Sequence, residues 1–140
     1  MQLPRIIPIR QPAGAMTMLT TYVVEDSPVI RDNLIATLEE TVPVRVIGTA
    51  DDEDGAVSWL RSAGNDPDLL IIDIFLRGGS GLGVLAAARA AGKTGKFVVF
   101  SNYATPDMRR KCLELGATRV FDKSDEIDAL IDFCSALADP

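Results

Sequence analysis

The sequence predicts an α/β fold, a doubly wound parallel sheet with helices on both faces, and three observations carry that prediction. From residue 20 onward short β-rich runs alternate with helical patterns, the mark of repeated βαβ units. No internal repeat or low-complexity tract breaks the alternation. Apolar runs stop at charged or hydroxyl residues: Tyr22-Val23-Val24 at Glu25-Asp26, Leu69 to Ile72 at Asp73, Phe97 to Phe100 at Ser101, and Val120-Phe121 shortly before Lys123. In an open parallel sheet the ligand sits beyond the carboxyl ends of the strands, near the point where the strand order reverses, so these stops are expected to converge.

The first strand is expected from about Thr21 to Val24, after which Ser27-Pro28 supplies an N-cap and a proline in the first turn. A helix then runs to about Thr41 with Ile30, Leu34 and Leu38 as its buried stripe. Val44 to Thr49 reads as the second strand. The acidic run Asp51-Asp52-Glu53-Asp54 leads into a helix carrying Ala56, Leu60 and Ala63 on its apolar face; as a charge run at a helix N-terminus it reads as solvated and not as a metal site. Asp66-Pro67 closes that unit before the third strand, Leu69 to Asp73. Gly78-Gly79-Ser80-Gly81 is a loop that lets backbones approach closely, followed by a third helix from Leu82 to Ala91 that Gly92 ends. Phe97 to Phe100 is the fourth strand. Thr105-Pro106 repeats the cap-then-proline start, and Met108, Cys112 and Leu115 mark the buried side of a fourth helix ended by Gly116. Arg119 to Phe121 is a fifth strand, and Ser124 is placed to cap a last helix whose Ile127, Leu130, Ile131, Cys134 and Leu137 face the core.

A chain of 140 residues has room for one domain and one sizeable core. With 47% hydrophobic and 24% charged residues it falls in the ordinary globular range. The net charge of -6 argues against direct nucleic-acid binding and against anionic membrane surfaces, both of which need clustered cations. No apolar run approaches the roughly 20 residues that a membrane span needs. Prolines and arginines interrupt residues 1–18, which read as a flexible N-terminal extension without the apolar core of a signal peptide; Met16 and Met18 are alternative starts. Cys112 and Cys134 form no C-x-x-C pair and suit reduced, structural thiols, which points to a cytoplasmic location. The chain has no histidine, so serine-histidine hydrolysis, histidine metal sites and phosphotransfer from a histidine of its own are excluded. Any phosphohistidine must come from another molecule.

If the first and third strands are neighbours, Glu25, Asp26 and Asp73 crowd together. Two carboxylates about 5 Å apart repel by roughly 3 kcal/mol at an effective dielectric near 20. A hard divalent ion relieves that repulsion, and magnesium takes one or two protein carboxylates, waters and substrate phosphate oxygens. The cluster therefore reads as a magnesium-dependent phosphoryl site: Asp73 can be the nucleophile, Lys123 the counterion and Ser101 the hydroxyl donor. Two rival phosphate chemistries fail. Gly92-Lys93-Thr94 lacks the P-loop's first glycine, since position 87 is Ala87, and it follows a helix where that motif follows a strand. A haloacid-dehalogenase-type phosphatase needs a second aspartate two residues after the nucleophile, where Phe75 stands.

Over residues 19–138 the chain resembles the receiver domain of a bacterial response regulator, of the CheY-like superfamily. The match rests on Glu25-Asp26, Asp73 within IIDIFLRGGSGLGVL, Ser101 within VVFSN, Glu114-Leu115-Gly116-Ala117, and Lys123 within VFDKS. The resemblance implies a flavodoxin-like sheet of strand order 2-1-3-4-5, with residues 19–140 as the receiver. It implies that Asp73 is phosphorylated by a sensor histidine kinase or histidine phosphotransfer protein. It further implies Mg2+ held by Asp26, Asp73 and the backbone carbonyl of Phe75, Glu25 assisting through water, and Ser101 and Lys123 touching the phosphoryl group. Such a protein is a signalling switch in a two-component system or phosphorelay and not an enzyme acting on a separate substrate. Its downstream protein target is expected on the face of the fourth helix, fifth strand and fifth helix, and no room is left for an output domain. The alternative is a degenerate receiver that docks proteins without phosphorylation. Three positions depart from the commonest family pattern: Arg77 stands where proline is usual, Ser124 follows Lys123 where a cis-proline is usual, and Val120 replaces the aromatic switch residue. Phe75 and Tyr103, two residues beyond Asp73 and Ser101, are bulky enough to hinder the water that would hydrolyse the aspartyl phosphate.

Overall fold

The computed structural model describes residues 18–139, so the expected extension lies almost wholly outside the described residues. Strands β1 (Leu19–Val24), β2 (Val44–Ala50), β3 (Leu69–Ile72), β4 (Lys96–Ser101) and β5 (Arg119–Asp122) alternate with helices α1 (Pro28–Thr41), α2 (Glu53–Arg61), α3 (Gly81–Ala90), α4 (Pro106–Glu114) and α5 (Ile127–Ala138). All strand pairs are parallel and the order is β2-β1-β3-β4-β5, the flavodoxin-like order expected. β1 and β3 are neighbours in register, Val24 opposite Ile72, so the reversal of strand order falls between them.

The period-2 alternation of the strands sends side chains into two cores. Tyr22, Val24, Leu70, Ile72, Phe97 and Val99 pack with Ala56 and Leu60 of α2, Val84, Leu85 and Ala88 of α3 and Cys112 of α4. Val23, Leu69, Ile71, Val98, Phe100 and Phe121 pack on the other face with Leu34 and Leu38 of α1 and Leu130, Cys134 and Ala138 of α5. β3 is buried on both faces, so its four residues are all apolar. Each such Leu or Ile contributes about 1.5–3 kcal/mol by leaving water. Trp59 serves packing, stacked on Tyr22 with ring centroids 3.9 Å apart. Both cysteines are buried and free. No described helix is long and apolar enough to cross a membrane.

Helix starts follow the cap chemistry. Ser27 accepts a hydrogen bond from Ile30 N and Thr105 one from Met108 N, each with a proline in the first turn. Three expectations are corrected. Ile30 is 38% exposed: it sits in the first turn of α1, where it borders an open cleft with Phe100 and Lys123. Ala63 is exposed because α2 stops at Arg61, where Ser62 N and Asn65 Nδ2 both turn back to the Trp59 carbonyl. Ser124 does not cap α5. Its N–H and hydroxyl both donate to Asp122 Oδ1, at 2.8 and 2.6 Å, making a turn, and α5 begins beyond it with no side-chain cap.

Candidate functional site

The sheet ladder continues one residue past the strands and fixes the polar stops. Glu25 N donates to the Ala50 carbonyl, Asp73 N to the Val24 carbonyl and Lys123 N to the Ser101 carbonyl, at 3.0, 3.0 and 3.1 Å. These are backbone bonds, so the positions of Glu25, Asp73 and Lys123 follow from strand register. The result is one cluster at the carboxyl end of the sheet. Carboxylate oxygens of Glu25, Asp26 and Asp73 lie within 4.8 Å of one another. Glu25 and Asp73 are buried, at 2% and 6% exposure, and Ser101 is at 0%.

Asp73 is held by three donors: Ser101 Oγ at 2.6 Å and Phe75 N at 3.2 Å on Oδ1, and Lys123 Nζ at 2.8 Å on Oδ2. Lys123 also ion-pairs Glu25 Oε1, and the other Glu25 oxygen accepts from Ser27 N at 3.0 Å. Burial disfavours the Lys123 ammonium, but the hydrogen bonds and charges of Asp73 and Glu25 outweigh it and raise its pKa above the ordinary 10.5. Three carboxylates face one buried ammonium, Lys123, and one exposed guanidinium, Arg77, so acid is in excess in a mostly buried place, which favours a hard cation with oxygen ligands. The donor set fits such an ion, all three ligand candidates being carboxylates brought to one point.

The loop after β3 shapes the rim. Gly81 must be glycine, because a Cβ there would run into the Asp73 carbonyl. Phe75 bridges to Ser80 across the loop. Phe75 is 50% exposed and Tyr103 87% exposed. The described peptides, Lys123–Ser124 included, are trans.

Two residues escaped the sequence reading. In the sequence Arg77 stands out only as a substitute for proline, yet its N–H donates to Asp26 Oδ2 at 2.6 Å, a bond that proline could not make. Its guanidinium reaches the same residue, Nε 3.9 Å from Oδ2 and NH2 donating to the Asp26 carbonyl at 3.4 Å. Glu53 belongs to the run read as solvated. Its Oε1 accepts from Ser80 N at 2.9 Å, its N–H donates to the Gly78 carbonyl at 2.9 Å, and its side chain fills the space beside Gly79, at φ +82, and Gly83. The signal for Glu53 was the glycines themselves, which leave room for a neighbour's side chain.

The family model described as "Response regulator receiver domain" matches residues 21–134. Among curated relatives, the transcriptional regulatory protein CitB of Klebsiella pneumoniae is 29% identical over 107 residues, 76% of this chain and 44% of that protein. A protein-glutamate methylesterase/protein-glutamine glutaminase of Nitrosospira multiformis is 41% identical over 59 residues, 42% of this chain and 16% of that protein. The chain thus spans less than half the length of either relative. Among solved structures, the response regulator domain of Thermotoga maritima CheB aligns over 88% of this chain and 99% of its own, with TM-score 0.74 at 18% identity. The signal receiver domain of NarL from Mycobacterium tuberculosis aligns over 84% and 97%, with TM-score 0.72 at 24% identity.

Proposed function

The chain belongs to the response regulator receiver domain family, and on that premise we propose that Asp73 accepts a phosphoryl group from a partner's phosphohistidine. The partner is a sensor histidine kinase or a histidine phosphotransfer protein, because the chain has no histidine of its own. An Asp73 oxygen attacks phosphorus, the phosphorus–nitrogen bond to the donor imidazole breaks, and the imidazole leaves with the electron pair and takes up a proton. The observation that carries the reading is the triple grip on Asp73, with Ser101 Oγ at 2.6 Å on one oxygen and Lys123 Nζ at 2.8 Å on the other.

Magnesium, when bound, supplies the positive charge that the phosphoryl oxygens and three crowded carboxylates require. Asp26, Asp73 and the Phe75 carbonyl would hold it. Glu25, whose two oxygens are already bonded to Lys123 and to Ser27 N, would assist through water. Once Asp73 carries the phosphoryl group as an acyl phosphate, Lys123 keeps a negative partner in that group, and the Ser101 hydroxyl is free to turn from Asp73 to a phosphoryl oxygen. Lys123 directly follows Asp122, whose N–H donates to Glu126 Oε1 at 2.7 Å; Glu126 meets Arg109 at 3.7 Å, and Arg109 donates to the Val120 carbonyl at 3.1 Å. This chain of bonds joins α4, β5 and the start of α5. It supports a readout on that face by hydrogen-bond rearrangement, with Val120 in place of a rotating ring, and a protein target there. The location is cytoplasmic and the partners are proteins.

Acetyl phosphate with magnesium tests the reading by intact mass. The protein should gain one phosphoryl group, and Asp73→Asn should gain none. Undiminished labelling of that variant would refute the assignment to Asp73; no labelling of the unaltered protein would favour a docking module that works without phosphate.

A further inference from the structure

Of the three clustered carboxylates, Asp26 is the one open to solvent, its side chain 19% exposed, and it is the one that Arg77 grips. The grip has two parts of different character. The N–H bond at 2.6 Å belongs to the backbone of the loop and stays as long as the loop does. The guanidinium, on a side chain 80% exposed, is held by long contacts of 3.4 and 3.9 Å and is free to swing. It borders a cleft of about 380 Å³ lined by Asp26, Pro28, Asp51, Asp52, Arg77 and Gly78. That cleft offers the arm two further carboxylates, Asp51 and Asp52, and no second cation among its lining residues.

We propose that Arg77 is a tethered competitor for the divalent-cation site: its guanidinium partly neutralises Asp26 when the ion is away and swings toward Asp51 and Asp52 when the ion binds. The inference rests on the reading of Glu25, Asp26 and Asp73 as a magnesium site. A fixed positive charge beside a divalent cation opposes its entry, and moving it to another acidic surface costs the Asp26 contact. Arg77 therefore sets the magnesium concentration at which the site fills. It is a positioning and tuning residue; it does not touch the reacting atoms.

The experiment is calorimetric titration of the full chain with magnesium chloride, comparing the unaltered protein with Arg77→Gln, which keeps the backbone N–H and removes the charge. Because Arg77 is exposed, the variant should fold, and matching thermal unfolding checks this. Arg77→Gln should bind magnesium about two- to fivefold more tightly at low salt, the scale of one exposed ion pair. The gap should shrink as ionic strength rises and the Debye length shortens. Equal or weaker binding by Arg77→Gln would overturn the inference while leaving the magnesium site intact. Equal binding with slower acetyl phosphate labelling at saturating magnesium would overturn it in favour of Arg77 as a receptor for the phosphoryl donor. If the unaltered protein binds no magnesium, both the site reading and this inference fall.

Discussion

Glu25, Asp26 and Asp73 differ from Asp51, Asp52, Glu53 and Asp54 in nearly everything but residue type. The second group is consecutive in sequence and sits at the N-terminus of α2, where it finds backbone donors: Asp52 Oδ1 accepts from Gly55 N at 2.8 Å and Glu53 Oε1 from Ser80 N, while Asp51 and Asp54 face water. Such charges complement the helix dipole and need no counterion. The first group is drawn from two strands and carried by register into a place where Glu25 and Asp73 are buried, so among the described residues its repulsion is met by Lys123 and, at the rim, by Arg77. Density of acid along the chain is thus a poor guide to reactivity here. What concentrates unrelieved charge is the sheet, which delivers side chains from distant positions to one buried end.

The contrast breaks most sharply at Lys123. Lys123→Met leaves two buried carboxylates without their cation, and a broken buried pair costs about 3 kcal/mol or more. Urea unfolding without magnesium should show that loss, and added magnesium should restore part of it. The pH profile adds a sign. The Lys123 pKa is raised in the folded state, the pull of Asp73 and Glu25 outweighing burial, so its stabilisation is complete below the ordinary 10.5 and is lost as pH climbs through the folded value. The stability gap between the unaltered protein and Lys123→Met should therefore narrow above pH 10.5. Tyr22, pushed up to about 12 by burial and then by Asp52, affects both proteins alike and cancels in the difference. A gap that stays constant into strong alkali would mean that Lys123 is not held by these carboxylates.

Glu53 should give the next largest effect, because it joins the two acidic groups. Removing its carboxylate in Glu53→Ala strips the Ser80 N–H of its acceptor and empties the space beside Gly79 and Gly83, which should cost about 1–2 kcal/mol. The same loop bears Phe75 and Arg77, so acetyl phosphate labelling of Asp73 should slow severalfold. Unchanged labelling at reduced stability would show that the loop holds its shape without the pin.

The sheet and most helix starts were legible because their causes are local: apolar runs of strand length, Ser27-Pro28 and Thr105-Pro106, and the period of Leu34, Leu38, Leu130 and Cys134. Asp73 and Lys123 were legible as strand stops once strands were assigned. What stayed hidden depends on partners far along the chain. Nothing near Glu53 announces Ser80, and nothing near Arg77 announces Asp26, 51 residues away. Ser124 misled for the opposite reason. It has a capping residue's chemistry, but Asp122 two residues earlier offers a nearer acceptor, and the turn that follows moves the start of α5 beyond its reach.

The mildest change tests whether Asp52 belongs wholly to the helix-capping group. Asp52→Ala removes the N-cap of α2 and should cost about 1 kcal/mol, with Asp73 labelling at saturating magnesium unaffected. Asp52→Asn keeps an acceptor for Gly55 N and loses the charge, so stability near neutral pH should be almost unchanged. Because the Asp52 carboxylate is the second cause of the raised Tyr22 pKa, the same variant should lower that pKa slightly, leaving burial to hold it above 10.0. Ultraviolet titration of the tyrosines reads this directly. A drop in labelling at saturating magnesium with either variant would place Asp52 in the phosphoryl site and dissolve the division between the two acidic groups; a Tyr22 titration that does not move would show that burial alone sets it.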